Sequence, residues 1–167
     1  PAFGLRIFNP DGSEAEKSGN GLRIFARWLY DQRRVTEEPF AVWTPGGWVR
    51  AQIAPGGSPI TVDMGQYSFD SARIPMLGPL RQVVHDPLLV GGETLHVCAL
   101  TLGNPHCVVL DAPVDEPTAR RLGPQIEHHP AFPQRINVQF LHVLDRQHIA
   151  IQIWERGAGY TLASGSS

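Results

Sequence analysis

The sequence predicts an α+β fold: twisted antiparallel strands with one helix packed in each half of the chain. Three observations predict it. Short apolar runs are separated by turn signals such as Asn9-Pro10-Asp11-Gly12, Pro45-Gly46-Gly47 and Pro55-Gly56-Gly57-Ser58. Two segments, residues 20 to 32 and 116 to 128, carry helical patterns. A serine before glycine occurs twice at the same spacing, nine residues after a polar residue that ends an apolar run: Ser18-Gly19 after Asn9, and Ser164-Gly165 after Glu155. Equal spacing in two otherwise different segments reads as one device used twice. A strand ends, a loop follows, and a small hydroxyl residue stands where a helix can begin. Two such devices face to face can hold one small anion between two helix N-termini.

Each element follows from local signals. Leu5 to Phe8 is dense in apolar residues and reads as a strand. Asn9-Pro10-Asp11-Gly12 is a turn, with Pro presetting φ at the second position and Gly at the fourth. Ser18 is a candidate N-cap, after which Leu22, Phe25, Trp28 and Leu29 fall on one helical face. Arg33 and Arg34 mark the end of that helix, where positive charge suits the dipole. Phe40 to Thr44 and Trp48 to Ile53 form a hairpin around Pro45-Gly46-Gly47, and Ile60 to Met64 is a third strand. Residues 65 to 83 lack periodicity and form a connection, which divides the chain into 1–64 and 65–167. In the second part, Leu88 to Val90, Thr94 to Leu102 and Cys107 to Leu110 read as strands. The helix over 116 to 128 has Asp115 as N-cap, Glu116 in its first turn and Pro117 near its start, and Gly123-Pro124 should break or kink it. Val138 to Leu144 and Ile149 to Trp154 form a hairpin around Asp145-Arg146-Gln147.

The bulk numbers exclude several function classes. With 167 residues, 42% of them apolar, and four Trp, the chain can bury a sizeable core as one domain or two small ones. A formal charge of −2 with no basic run longer than two residues argues against nucleic acid as a partner. No apolar stretch approaches a membrane span, and Pro1-Ala2-Phe3-Gly4 does not begin a signal peptide. Cys98 and Cys107 make no disulfide framework, so a reducing cytoplasm is the expected location. The chain opens almost directly in a strand pattern and stops at Gly165-Ser166-Ser167, where a helix is due. It therefore reads as an internal piece of a longer protein.

Few residues point to chemistry. Ser18-Gly19-Asn20-Gly21 and Ser164-Gly165-Ser166 place glycine where backbone N–H groups can approach an anion at a helix start. The ordinary reading of either alone is a capping turn. Gly103-Asn104-Pro105-His106 lies between two strands, so its amide and imidazole can reach a cleft, and His carries protons near neutral pH. The charges of Glu155-Arg156-Gly157 end an apolar strand at a sheet rim. His128, His129, His142 and His148 lack metal-ligand spacing, and Cys107 begins an apolar run as a buried structural cysteine would. No metal site and no cofactor are expected: no Gly-x-Gly follows a parallel strand-helix unit, and no Walker lysine occurs.

Asn9-Pro10-Asp11-Gly12-Ser13-Glu14, Ser18-Gly19-Asn20-Gly21, Arg23, Phe25-Ala26-Arg27, Gly103-Asn104-Pro105-His106-Cys107, Leu122-Gly123-Pro124, Phe132-Pro133, Asn137 and Glu155-Arg156-Gly157-Ala158-Gly159 together resemble the diaminopimelate epimerase family, in order along nearly the whole chain. The resemblance implies two pseudo-symmetric domains, each of strands wrapped round a central helix, with the active site in the cleft between them. It implies cofactor-independent interconversion of LL- and meso-diaminopimelate by two-base Cα proton transfer, in lysine and peptidoglycan precursor biosynthesis, by a homodimer. By the same resemblance, Asn9, Asn137 and Arg156 hold the distal end of the substrate. Asn104, Glu155 and the backbone N–H groups of Gly19, Asn20, Gly165 and Ser166 hold the reacting end. His106 and Glu155 assist the two proton carriers. The family's N-terminal substrate-binding Asn has no counterpart here.

Both proton-carrier positions are cysteine in the family, and here they are Ser18 and Ser164. A free cysteine has a pKa of about 8.5 and can be lowered further at a helix N-terminus. A serine hydroxyl is a far weaker acid and needs a strong activating base. Three explanations follow: a variant made to hold substrate without turnover, a natural relative that keeps the pocket, or an epimerase that uses serine. The alternatives to the epimerase are a non-catalytic amino-acid-binding relative and an isomerase or racemase of another carbon acid.

Overall fold

The computed structural model describes residues 2–166 and confirms the α+β class. The chain divides into two compact units. One holds the residues up to Gln66 with Leu102–Asn104 and Ser164–Ser166, and the other holds Tyr67–Thr101 and Pro105–Ala163.

In the first unit a four-stranded sheet runs in the order β1 (Ala2–Gly4), β4 (Phe40–Thr44), β5 (Gly47–Ile53), β6 (Ile60–Asp63). Only β1 is parallel to its neighbour. A small hairpin, β2 (Ile7–Phe8) with β3 (Glu14–Ala15), closes through the Asn9 turn, where the Gly12 N–H donates to the Asn9 carbonyl at 2.9 Å. Helix α1 (Gly19–Asp31) lays Leu22, Ala26 and Leu29 on Phe40, Val42, Val49, Ala51 and Ile53. Burying each Leu stabilises the unit by about 1.5–3 kcal/mol.

In the second unit a six-stranded sheet runs β12 (Gly159–Thr161), β11 (Ile149–Glu155), β10 (Asn137–Val143), β9 (Pro105–Val109), β8 (Glu93–Thr101), β7 (Asp86–Val90). All its pairs are antiparallel except β9 with β10, which aligns His106 with Asn137. Helix α2 (Glu116–Glu127) buries Ala119, Leu122 and Ile126 among Val97, Ala99, Cys107, Val109, Val138 and Phe140. Cys107 is a buried core residue, and burial pushes its thiol pKa well up.

Several sequence expectations are corrected. The first predicted strand shortens to Ile7–Phe8, because the Leu5 N–H donates to the Trp43 carbonyl of β4 at 2.9 Å rather than joining the hairpin. Trp28 is exposed and stacks on Phe25, while the small Ala26 takes the inner face of α1. Gly123-Pro124 does not break α2, which continues to Glu127. Pro124 falls in the last turn, where its missing N–H removes one bond, to the Arg120 carbonyl. The strand β12 follows from pairing with β11 and had no local signal. No helix begins at Ser164 among the described residues, and Ser167 lies outside them.

Gly123 is set by close packing: an added Cβ would lie 2.5 Å from Cγ of Trp154. Gly123→Ala should therefore destabilise the second unit by about 1–3 kcal/mol through overpacking, despite alanine's better helix propensity. Urea unfolding followed by Trp fluorescence reads this, and a stabilised variant would contradict the packing described.

Candidate active site

In the first unit the two Ser-Gly steps come together. Ser18 is the N-cap of α1, with extended backbone, and its Oγ accepts the Gly21 N–H at 3.1 Å. The first helical residues, Gly19 and Asn20, carry N–H groups that have no acceptor within the helix. The Gly165 backbone lies directly against them. A Cβ on Gly19 would meet the Gly165 carbonyl oxygen at 2.5 Å, and one on Gly165 would meet the Asn20 nitrogen at 2.7 Å. Only glycine at both places allows this approach. Asn104 is buried, and its Nδ2 donates to Ser166 Oγ at 3.3 Å. Ser164 is half-buried. Ser18, Gly19, Asn20, Asn104, Gly165 and Ser166 thus form one group at the positive end of α1, where carboxylate is favoured. Of the two predicted helix starts, the described residues contain the one capped by Ser18, and residues 164–166 carry neither helix nor strand.

Asn9 lies in the β2–β3 turn, where its Nδ2 donates to Ser13 Oγ at 3.1 Å. That hairpin sits near the helix start, since a Cβ on Gly21 would touch Ile7 Cδ1 at 3.4 Å.

Lys17 is a residue that sequence reasoning missed. It is buried, and its ammonium donates to the Met64 carbonyl at 2.9 Å and the Leu102 carbonyl at 3.0 Å. It thereby fixes the residues on either side of the site, Ser18 and the Gly103-Asn104 loop. Burial lowers its pKa, and Asp63 opposes that shift. Nothing local marked it, because both acceptors are distant in sequence.

In the second unit, His106 on β9 is 3% exposed. Its Nδ1 is 3.0 Å from Gln139 Nε2, and that amide donating to Nδ1 leaves the ring proton on Nε2. Nε2 has no hydrogen-bond partner among the described residues. Burial pushes the His106 pKa down to about 4, and the Arg156 charge acts in the same direction. The imidazole is therefore neutral at pH 7. Gln139 was also missed; a polar residue between Val138 and Phe140, in the buried stretch of β10, is the signal that could have found it. Asn137 donates from Nδ2 to the Pro105 carbonyl at 2.9 Å and accepts the Arg156 N–H on Oδ1 at 3.0 Å. Arg156 is buried and donates to the Gln134 carbonyl at 3.2 Å, while Glu155 is half-buried at the end of β11. His106, Asn137, Glu155 and Arg156 are thus collected at one end of the sheet. No cluster of His, Cys, Asp and Glu suited to a metal occurs among the described residues. No helix of the described residues is long and apolar enough to cross a membrane.

Solved structures define the class of fold. A hydroxyproline epimerase from Agrobacterium vitis superposes with a TM-score of 0.66 at 15% identity, over 94% of this chain and 50% of that one. A phenazine biosynthesis protein of the PhzF family from Bacillus anthracis gives 0.55 at 18% identity, over 96% and 57%. The architecture is therefore that shared by these epimerase and PhzF-type proteins. The sequence narrows it further. The diaminopimelate epimerase family model matches residues 2–69 and 98–167. Diaminopimelate epimerase 2 of Nostoc sp. is 54% identical over 99% of this chain, and the diaminopimelate epimerase of Stutzerimonas stutzeri is 45% identical over 98%. The chain belongs to the diaminopimelate epimerase family. It spans 58% and 59% of the length of those two relatives.

Two outcomes follow from this geometry. Gly19→Ala should leave α1 helical but expel the 164–166 segment, seen as faster amide exchange at Gly165; unchanged exchange would contradict the contact. The His106 pKa also has a stability consequence. The unfolded imidazole takes a proton near pH 6.5, and the folded one only near pH 4. The unfolded state binds more protons in that window, so stability contributed by His106 is full above pH 6.5 and falls as pH drops to 4, by about 3 kcal/mol in all. Urea titrations at pH 7 and 4.5 should show this loss in the native chain and a smaller loss in His106→Gln.

Proposed function

We propose that the protein binds diaminopimelate as an epimerase of this family does, with its two proton-carrier positions occupied by serine. In this reading Arg156 and Asn9 hold the distal end of the amino acid. Asn137 assists with its remaining amide hydrogen while bracing the Arg156 backbone. Asn104 and the N–H groups of Gly19, Asn20, Gly165 and Ser166 take the reacting carboxylate. Removing the Cα proton builds charge into that carboxylate, and N–H groups aimed at it lower the barrier. His106 and Glu155 assist proton movement to and from residues 18 and 164. The substrate is a small amino acid, and no cofactor takes part. A cytoplasmic homodimer completes the reading.

The observation that carries it is the buried, neutral His106 with Nε2 unpartnered among the described residues. A polar group buried without a partner costs stability, and a ligand or proton acceptor repays it. Serine at residues 18 and 164 changes the rate and leaves the recognition. A hydroxyl is scarcely ionised at neutral pH, and Ser18 Oγ already accepts the Gly21 N–H. The amino acid is therefore held while proton transfer is slow.

Deuterium uptake at Cα of LL-diaminopimelate in D₂O tests this, using the intact protein beside Ser18→Cys/Ser164→Cys. Uptake in the cysteine variant should exceed that of the native protein by at least about 10²-fold, the range of general acid–base catalysis. Uptake by neither would overturn the substrate assignment.

A further inference from the structure

Glu127 is a carboxylate with a side chain 4% exposed, at the last residue of α2, and none of the roles above uses it. Its partners are specific. Oε2 accepts the indole N–H of Trp154 at 2.7 Å. Oε1 accepts the backbone N–H of Gly157 at 3.0 Å and a guanidinium N–H of Arg135 at 3.3 Å. The His128 ring nitrogen lies 3.9 Å from Oε2. Trp154 and Gly157 stand immediately before and after Glu155 and Arg156.

Three successive backbone N–H groups in the turn that carries Glu155 and Arg156 have defined acceptors. The Arg156 N–H goes to Asn137 Oδ1, the Gly157 N–H to Glu127 Oε1, and the Ala158 N–H to the Glu155 carbonyl at 3.1 Å. Gly157, third in this four-residue turn, has φ 75°, a conformation that glycine adopts without steric cost. Of these three bonds, only the last is internal to the turn. The other two come from side chains of α2 and β10, and the one from α2 is ionic. Charge-assisted hydrogen bonds to a buried carboxylate are the stronger kind. Trp154 in turn packs on Gly123, one helical turn before Glu127, so indole, carboxylate and turn form one block.

We infer that Glu127 is a positioning residue: it clamps Trp154 and Gly157 so that Glu155 and Arg156 are presented to the ligand in a fixed geometry. The inference rests on the function proposed above only for what the ligand is. Glu127 touches no reacting atom in this account. It acts through the turn.

Glu127→Gln keeps the shape but puts an amide N–H against a donor, the Trp154 indole or the Gly157 amide. In the intact protein, amide exchange of Arg156 and Gly157 should speed at least tenfold, with core amides such as Val97 and Val138 unchanged. LL-diaminopimelate affinity, by calorimetry, should fall at least tenfold. Trp154→Phe removes the clashing indole donor, so Glu127→Gln/Trp154→Phe should recover slower exchange at Gly157 than Glu127→Gln alone. Exchange that speeds uniformly across the second unit would reduce Glu127 to a general stabiliser and overturn the inference. So would a loosened turn with unchanged affinity. If the native protein does not bind diaminopimelate, the function proposed above fails, and the exchange comparison decides the role of Glu127 by itself.

Discussion

One side-chain amide joins the parts of the second unit's site. Asn137 donates to the Pro105 carbonyl and accepts from the Arg156 N–H, linking the strand that carries His106 to the turn that carries Glu155 and Arg156. The parallel register of β9 and β10 puts Asn137 beside His106, so both ends of this bridge are set by the sheet. Around it, two further buried polar side chains have specific partners: Gln139 on His106, and Glu127 on Trp154, Gly157 and Arg135. Buried polar groups of this kind are costly unless paired, so a site built from them is rigid. The first unit follows the same rule with a different charge, the Lys17 ammonium between two carbonyls.

In the proposed function, serine at residues 18 and 164 changes the chemistry while the contacts around it stay in place. Serine is a good N-cap, so Ser18 costs the helix nothing and holds Gly21 in place. The close approach of Gly19 and Gly165 depends on the two glycines, whichever residue precedes them. In the proposed function, recognition and proton transfer are therefore carried by different atoms of the same loops. A chain can keep the first while the second slows.

How much of this was legible in the sequence depended on the range of the interactions. The Ser18 cap, the Asp115 cap, the hairpin at residues 45–47 and that at 145–147 rest on neighbouring residues, and all four are present. Of the candidate site residues, Ser18, Gly19, Asn20, Asn104, Gly165 and Ser166 lie in the first unit, and His106, Asn137, Glu155 and Arg156 in the second. What was missed depends on partners far along the chain. Lys17 is buried because Met64 and Leu102 offer carbonyls, and Glu127 because Trp154 and Gly157 offer N–H groups. Periodicity puts Trp28 on the inner face of α1, but the buried face is Leu22, Ala26 and Leu29, and Trp28 stacks on Phe25 at the surface. Pro124 was read as a breaker because the rule concerns helix interiors, and here it stands in a last turn.

The central claim is that recognition of a diaminopimelate-like amino acid survives with serine at both proton-carrier positions. Calorimetric titration of the intact native protein with diaminopimelate, beside lysine, tests it most directly. Lysine lacks the distal carboxylate that Arg156 is assigned to hold. The account predicts saturable binding of diaminopimelate and at least tenfold weaker binding of lysine. Absence of diaminopimelate binding, or equal binding of lysine, would contradict it.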